Sequence, residues 1–101
     1  MAYTIAWTHA AVSDLRAVAA FISQDNPRAA AELVKRMLSR LDHAASFPFA
    51  QRSVPEFDDR QTREVLLNPY RVVYVVNETA RTITILRVWH AARGTPDLEV
   101  S

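Results

Sequence analysis

Apolar residues recur along this chain with two different periods, and the change falls near its middle. The stretch YTIAWT, from Tyr3 to Thr8, is β-branched and aromatic, with Tyr3, Ile5 and Trp7 on one parity, which is the spacing of a strand. From Thr8 the pattern turns helical. Ala11, Leu15, Val18 and Ile22 share one helical face, predicting a helix that Thr8 caps and that ends about Ser23. Asn26 followed by Pro27 is a second start signal, an N-cap with proline in the first turn, where its missing N–H would have had no partner. That helix is predicted to reach about Ala45, with Ala30, Leu33, Met37, Leu41 and Ala44 as its apolar stripe and Glu32 and Arg36 spaced for an outer ion pair.

Past the hairpin the period shortens. Residues 47–61, FPFAQRSVPEFDDRQ, hold two prolines and three acids and are expected to form a long loop with room for a short strand. Three strands are then predicted, Thr62 to Asn68, Tyr70 to Asn77 and Thr82 to Trp89, with NP and NETAR as turns short enough to force antiparallel neighbours. In the middle strand Tyr70, Val72, Tyr74 and Val76 face one way, and Arg71, Val73 and Val75 the other. Both parities are largely apolar, so this strand should be covered on both sides. The helical hairpin supplies one cover, and the second apolar face invites a partner chain. The expected fold is a single α+β domain over residues 1–101: an N-terminal strand, a two-helix hairpin, then a three-stranded antiparallel meander, all forming one curved sheet.

Composition narrows the chemistry more than the fold. There is no cysteine, which removes thiolate nucleophiles, disulfides and Cys-type zinc sites. His9, His43 and His90 lie far apart with no metal-ligand spacing, and the lone glycine, Gly94, cannot build a phosphate-cradling loop. No cofactor and no metal are expected. The N-terminus lacks the basic start and apolar run of a signal peptide, and no stretch approaches a membrane span, so a cytoplasmic protein is expected. Net charge is only +1, but its distribution is uneven: of 12 cations all but Lys35 are arginine, and seven arginines lie from Arg52 to Arg93. Arginine keeps its charge when partly desolvated and offers a planar fork of donors suited to interfaces and phosphates.

Three stretches together carry a family pattern: WTHAAVSDLRAVAAFISQDNPRAA, then REVLLNPYRVVYVV, then ITILRVWHAAR. The chain resembles the RelE/ParE superfamily of bacterial toxins from toxin–antitoxin pairs, over nearly its whole length, and looks closest to the ParE branch. The resemblance implies a cognate antitoxin that wraps an extended and helical segment around the toxin in a hetero-oligomer. It also implies one of two actions. The ParE branch is associated with poisoning DNA gyrase, and the RelE branch with cutting messenger RNA in the ribosome.

The residues bear on that choice. Cleavage through the ribose 2′-OH needs a base, a stabilising positive charge and an acid. RelE-type toxins are expected to supply these from lysines, arginines and often a tyrosine near the C-terminus. Here Lys35 lies on the second helix and the tail after His90 has no aromatic residue. A ribonuclease reading would therefore rest on His90, Arg63 and Arg71. The other reading has no catalytic residue and uses Arg63, Arg71, Arg87, His90 and Arg93 as partner contacts, without sequence-specific binding of nucleic acid. Each also has a structural alternative: Arg71 can pair with Glu64 on the adjacent strand, His90 can be a hydrogen-bonded strand end, and Tyr70 and Tyr74 fit a core. Asp14 is expected to favour the positive end of the first helix. The expected function is a ParE-like toxin that binds and poisons DNA gyrase, with ribosome-dependent messenger cleavage as the alternative.

Overall fold

The computed structural model describes residues 2–98. Strand β1 (Thr4–Trp7) leads into α1 (His9–Ser23) and α2 (Pro27–Ser46), followed by β2 (Arg52–Ser53), β3 (Thr62–Leu67), β4 (Tyr70–Asn77) and β5 (Thr82–His90). A single 3-10 turn, Ala91–Arg93, closes the regular structure. The predicted starts hold at atomic detail. The Thr8 hydroxyl accepts from the Ala11 N–H at 3.1 Å, and the Asn26 side-chain oxygen accepts from the Ala29 N–H at 3.1 Å. The Glu32–Arg36 pair does not form, since none of the ion pairs among the described residues includes it.

The five strands make one sheet in the order β1-β5-β4-β3-β2. The meander is antiparallel as expected, but β1 lies parallel to β5, with Thr4 opposite Thr82 and Trp7 opposite Ile85. The long connection that a parallel pair requires runs here through the hairpin α1–α2 and back through β2, β3 and β4. The predicted loop holds the two-residue β2, which pairs with Arg63 and Glu64. In β5 the register passes from Val73↔Arg87 to Tyr74↔Ile85, leaving Leu86 as an extra residue. Ile83 and Ile85 before this bulge and Val88 after it therefore face the same core, despite their opposite parity.

That core lies between the helices and one face of the sheet. Met37, Leu41 and Ala44 of α2 and Ala11 of α1 pack with Val65, Val72, Tyr74, Ile83 and Ile85, and Leu15, Val18 and Leu33 flank them. Burying a side chain of the size of Leu41 or Ile85 contributes about 1.5–3 kcal/mol. Tyr74, fully buried, donates its hydroxyl to the Pro48 carbonyl at 2.6 Å, and burial raises its pKa. The second face of the sheet departs from expectation. Val73 and Trp89 are buried there by the chain's own loop and tail, which contribute the buried Val54 and Pro96. The tail is tied down by its backbone: the Gly94 carbonyl accepts from Trp89 Nε1 at 3.2 Å, and the Asp97 carbonyl from Arg87 at 3.1 Å.

Candidate functional site

The second face carries an ion network that the sheet register brings together. Glu64 of β3 stands two residues out of register from Arg71 of β4, on the same face, and across from Arg52 of β2. Its carboxylate, 0% exposed, accepts from Arg71 Nε at 2.8 Å and Arg52 Nε at 2.6 Å. Glu56, from the loop, grips the other end of Arg71 with both oxygens, at 2.6 and 2.7 Å. Two cations thus meet two anions, and the Arg71 side chain is left only 10% exposed. The hydrogen bonds that Arg71 donates to Glu56 raise the pKa of the arginine, and the same bonds hold the Glu56 carboxyl below its ordinary value. A guanidinium so enclosed has its donors engaged, in the planar bidentate geometry arginine favours.

Arg87 is engaged in the same manner by a different element. Asp14 of α1 accepts from Arg87 Nε at 2.8 Å and from its Nη2 at 2.9 Å, raising the arginine's pKa. Asp14 also accepts from the Val88 N–H at 3.0 Å. Past Trp7, where β1 stops, this carboxylate serves β5 as a strand's carbonyl would. The Thr8 hydroxyl does the complementary task, lying 3.0 Å from the carbonyl oxygens of both Ile85 and Leu86 at the bulge. Asp14 lies beyond the first turn of α1, which contains no acid, so its role is this cross-link rather than the expected favourable charge at the helix start.

The remaining candidates sit as follows. Arg63 donates to the carbonyls of Arg60, Phe49 and Gln51 at 2.8, 3.2 and 3.0 Å, and its guanidinium lies 5.1 Å from the Phe49 ring centre. His90 accepts the Ala92 N–H on Nδ1 at 3.0 Å, capping the 3-10 turn, and its ring meets Tyr70 edge-on. Arg93 is exposed and stacks 4.0 Å over Trp89. The structure brings Arg71, Arg87 and Arg93 to the tail-covered end of the second face, but it separates the hypothetical cleavage set. Arg63 is opposite Tyr74 and His90 is opposite Tyr70, four residues apart on β4, or about 14 Å along the sheet. Arg71 points to the opposite face from Arg63, because the two differ in parity across the β3–β4 ladder.

Charge is therefore partitioned by element. Each of the seven arginines from Arg52 to Arg93 has an ion pair, a hydrogen bond or a ring contact. The other five cations, Arg16, Arg28, Lys35, Arg36 and Arg40, all lie on α1 and α2, are exposed, and engage no side-chain partner among the described residues. The hairpin also carries two exposed apolar side chains, Phe21 at 70% and Leu38 at 44%, with Phe47 just after it at 57%, and Leu66 of β3 is exposed as well. An apolar groove of about 620 Å³ runs between its helices, bordered by Ala19, Ala30, Val34, Lys35 and Leu38. A smaller depression of about 420 Å³ lies at the sheet end beside Arg52, Leu66, Pro69, Tyr70 and Arg71. No cluster of three or more His, Asp or Glu side chains able to hold a metal occurs among the described residues. No helix among them is long and apolar enough to cross a membrane.

A helical hairpin followed by an antiparallel meander whose last strand, β5, lies parallel to β1 is the fold of the RelE/ParE toxin class. The Pseudomonas aeruginosa chromosomal ParDE system contains a chain of this fold, 20% identical, with a TM-score of 0.71 over 87% of this chain and 95% of that one. The Mycobacterium tuberculosis toxin–antitoxin complex RelBE2 contains another, 24% identical, with a TM-score of 0.59 over 89% of this chain and 99% of that one. These likenesses establish the fold. In sequence, residues 5–94 match the family described as the ParE toxin of the type II toxin–antitoxin system parDE. A Sinorhizobium fredii protein named as toxin Y4kP is 33% identical over 96 residues, covering 93% of this chain and 94% of that protein. The chain belongs to the ParE toxin family and is the toxin component of a type II toxin–antitoxin system.

Proposed function

We propose that this toxin acts by binding and poisoning DNA gyrase, without catalysis of its own, and that a cognate antitoxin silences it in a hetero-oligomeric complex. The observation that carries the reading is the saturation of Arg71 by Glu56 and Glu64. A cation that stabilises a crowded phosphate must present free donors to it. This one presents them to its own fold, and the same conclusion is supported by Arg63, which lies on the opposite face from Arg71 and four β4 positions away from His90. Partner contact falls to the end of the sheet. Arg93 and His90 meet the partner, while Arg63, Arg71 and Arg87 hold the surface in shape. The antitoxin covers the apolar groove of the hairpin with Leu38 and Phe21. Both fold relatives named above come from toxin–antitoxin systems.

The test is a supercoiling and DNA-cleavage assay with purified gyrase and this chain, with and without antitoxin. Linear plasmid that disappears on adding antitoxin is the expected result. Untouched gyrase, with cut messenger RNA in translating extracts, would sink the proposal. A His90→Ala variant that loses messenger cleavage while keeping fold and antitoxin binding would count equally against it.

A further inference from the structure

Three of the five unengaged cations lie together. Lys35, Arg36 and Arg40 ring a second depression of about 310 Å³ on the outer side of α2, with Ser39, Glu32 and the end of β3 at Leu67 completing its wall. All but Leu67 are exposed. Three cations and a hydroxyl, with one carboxylate at the rim, make a surface rich in donors. Residues 35, 36, 39 and 40 form one connected strip of the helix, because 35 and 39, 36 and 39, and 36 and 40 are three or four positions apart and so adjoin on its surface. At 1.5 Å per residue the strip spans about 7.5 Å of helix axis. One strand of duplex DNA presents about two phosphates over that rise.

We propose that this strip is a docking site for the phosphodiester backbone of duplex DNA. It deepens the gyrase reading by giving the toxin a direct hold on the DNA that gyrase carries. Its chemistry favours a nucleic acid over a protein. The one apolar side chain at the depression, Leu67, is 3% exposed and offers no anchor, whereas protein interfaces take most of their energy from buried apolar or aromatic anchors. Backbone contacts take theirs from released counterions and carry no sequence information, in keeping with a site built of Lys, Arg and Ser donors. Arg63, Arg71 and Arg87 on the sheet side cannot serve in this way, since their donors are engaged within the fold.

The test is fluorescence anisotropy of a short labelled duplex with the full chain, free of antitoxin because Lys35 also borders the apolar groove. Over a range of salt concentrations, two neutralised phosphates give a slope of log K against log salt of about −1.8. The variant Lys35→Ala/Arg36→Ala/Arg40→Ala is expected to bring that slope close to zero and to weaken low-salt binding about tenfold or more. Arg60→Ala, on the sheet side, is expected to leave the slope unchanged. Arg36→Lys/Arg40→Lys, which keeps the charge, is expected to preserve it and guards against a folding artefact.

No binding by the wild-type chain at low salt would overturn the site, as would a triple variant with the wild-type slope. Polyglutamate displacing the duplex at a lower concentration than unlabelled duplex would reassign the strip to an acidic protein and overturn the proposal too. Duplex binding beside an untouched gyrase would support this site and sink the gyrase reading. Gyrase poisoning without duplex binding would do the reverse.

Discussion

The second face of the sheet and the outer face of the hairpin hold much the same stock of arginine and treat it in opposite ways. On the sheet, each guanidinium is matched to a carboxylate, a carbonyl or a ring: Arg71 to Glu56 and Glu64, Arg87 to Asp14, Arg63 to three backbone oxygens. On the hairpin, Arg16, Arg28, Lys35, Arg36 and Arg40 stand in solvent. Topology produces the difference. Strands pack side by side, so a register of two residues sets Glu64 against both neighbouring arginines, and a loop laid over the face closes the network. A helix hairpin has only one buried stripe, and what lies opposite it meets water or a partner. Positive charge near the site thus builds structure, and positive charge away from it is free to recruit.

The contrast is open to attack, most forcefully at Glu64. Glu64→Ala leaves the Arg71 guanidinium enclosed with half its partners gone, and breaking a buried pair on one side costs about 3–5 kcal/mol. The double change Glu64→Leu/Arg71→Met should recover most of that loss in urea denaturation. A single variant near wild-type stability would mean the network is ornamental. Asp14→Ala comes next. It removes a bidentate contact and the acceptor for the Val88 N–H, part-buried, for a loss of about 1.5–3 kcal/mol, read from the same denaturation midpoint.

A smaller effect is expected from pH. Glu56 is held below its ordinary value of 4.5, chiefly by its hydrogen bonds from Arg71. The unfolded chain then binds the proton more readily than the folded one. Its contribution to stability is whole above 4.5 and is lost as the pH falls through the lowered folded value. Glu56→Gln should flatten that part of the stability–pH curve, while the part due to Asp59, lowered by the Thr62 hydroxyl and the Gln61 N–H, persists. The smallest effect belongs to the hairpin. Replacing Lys35, Arg36 and Arg40 by alanine should each move stability by no more than about 0.5 kcal/mol. A loss of several kcal/mol there would erase the distinction between the two regions.

The sequence already carried the elements. Thr8 and Asn26 start the helices, Met37 and Leu41 sit on the predicted stripe, and the antiparallel meander appears between its expected turns. Periodicity and capping are local signals, and local signals survive in a single sequence. What it did not carry was long-range. The parallel seat of β1 against β5, the extra residue Leu86 and the Asp14–Arg87 bond across 73 positions leave no periodic trace. The Arg71–Glu64 pairing was legible, because two adjacent strands with a tight turn fix their register, but Glu56 was not, since a loop residue has no register. The second face looked as though it needed a partner, because an irregular tail gives no pattern by which to see that it folds back. Trp89 is the one hint: a buried indole N–H needs an acceptor, and the Gly94 carbonyl is five residues on.

The bulge at Leu86 has one more consequence. Along β5 the alternation of sides behaves as a wave with a half-cycle slip, and everything downstream of it, Arg87, Trp89 and the tail's anchor points, is in phase with the second face only because of that slip. Excising Leu86 would leave those faces as they are, since Ile85, Arg87, Val88 and Trp89 then meet Tyr74, Val73, Val72 and Arg71 without a break. Ironing the bulge flat with Leu86 kept, so that Leu86 takes the place opposite Val73, would send Arg87 and Trp89 inward among the isoleucines and turn Val88 outward, inverting the sheet's end like a garment pulled inside out.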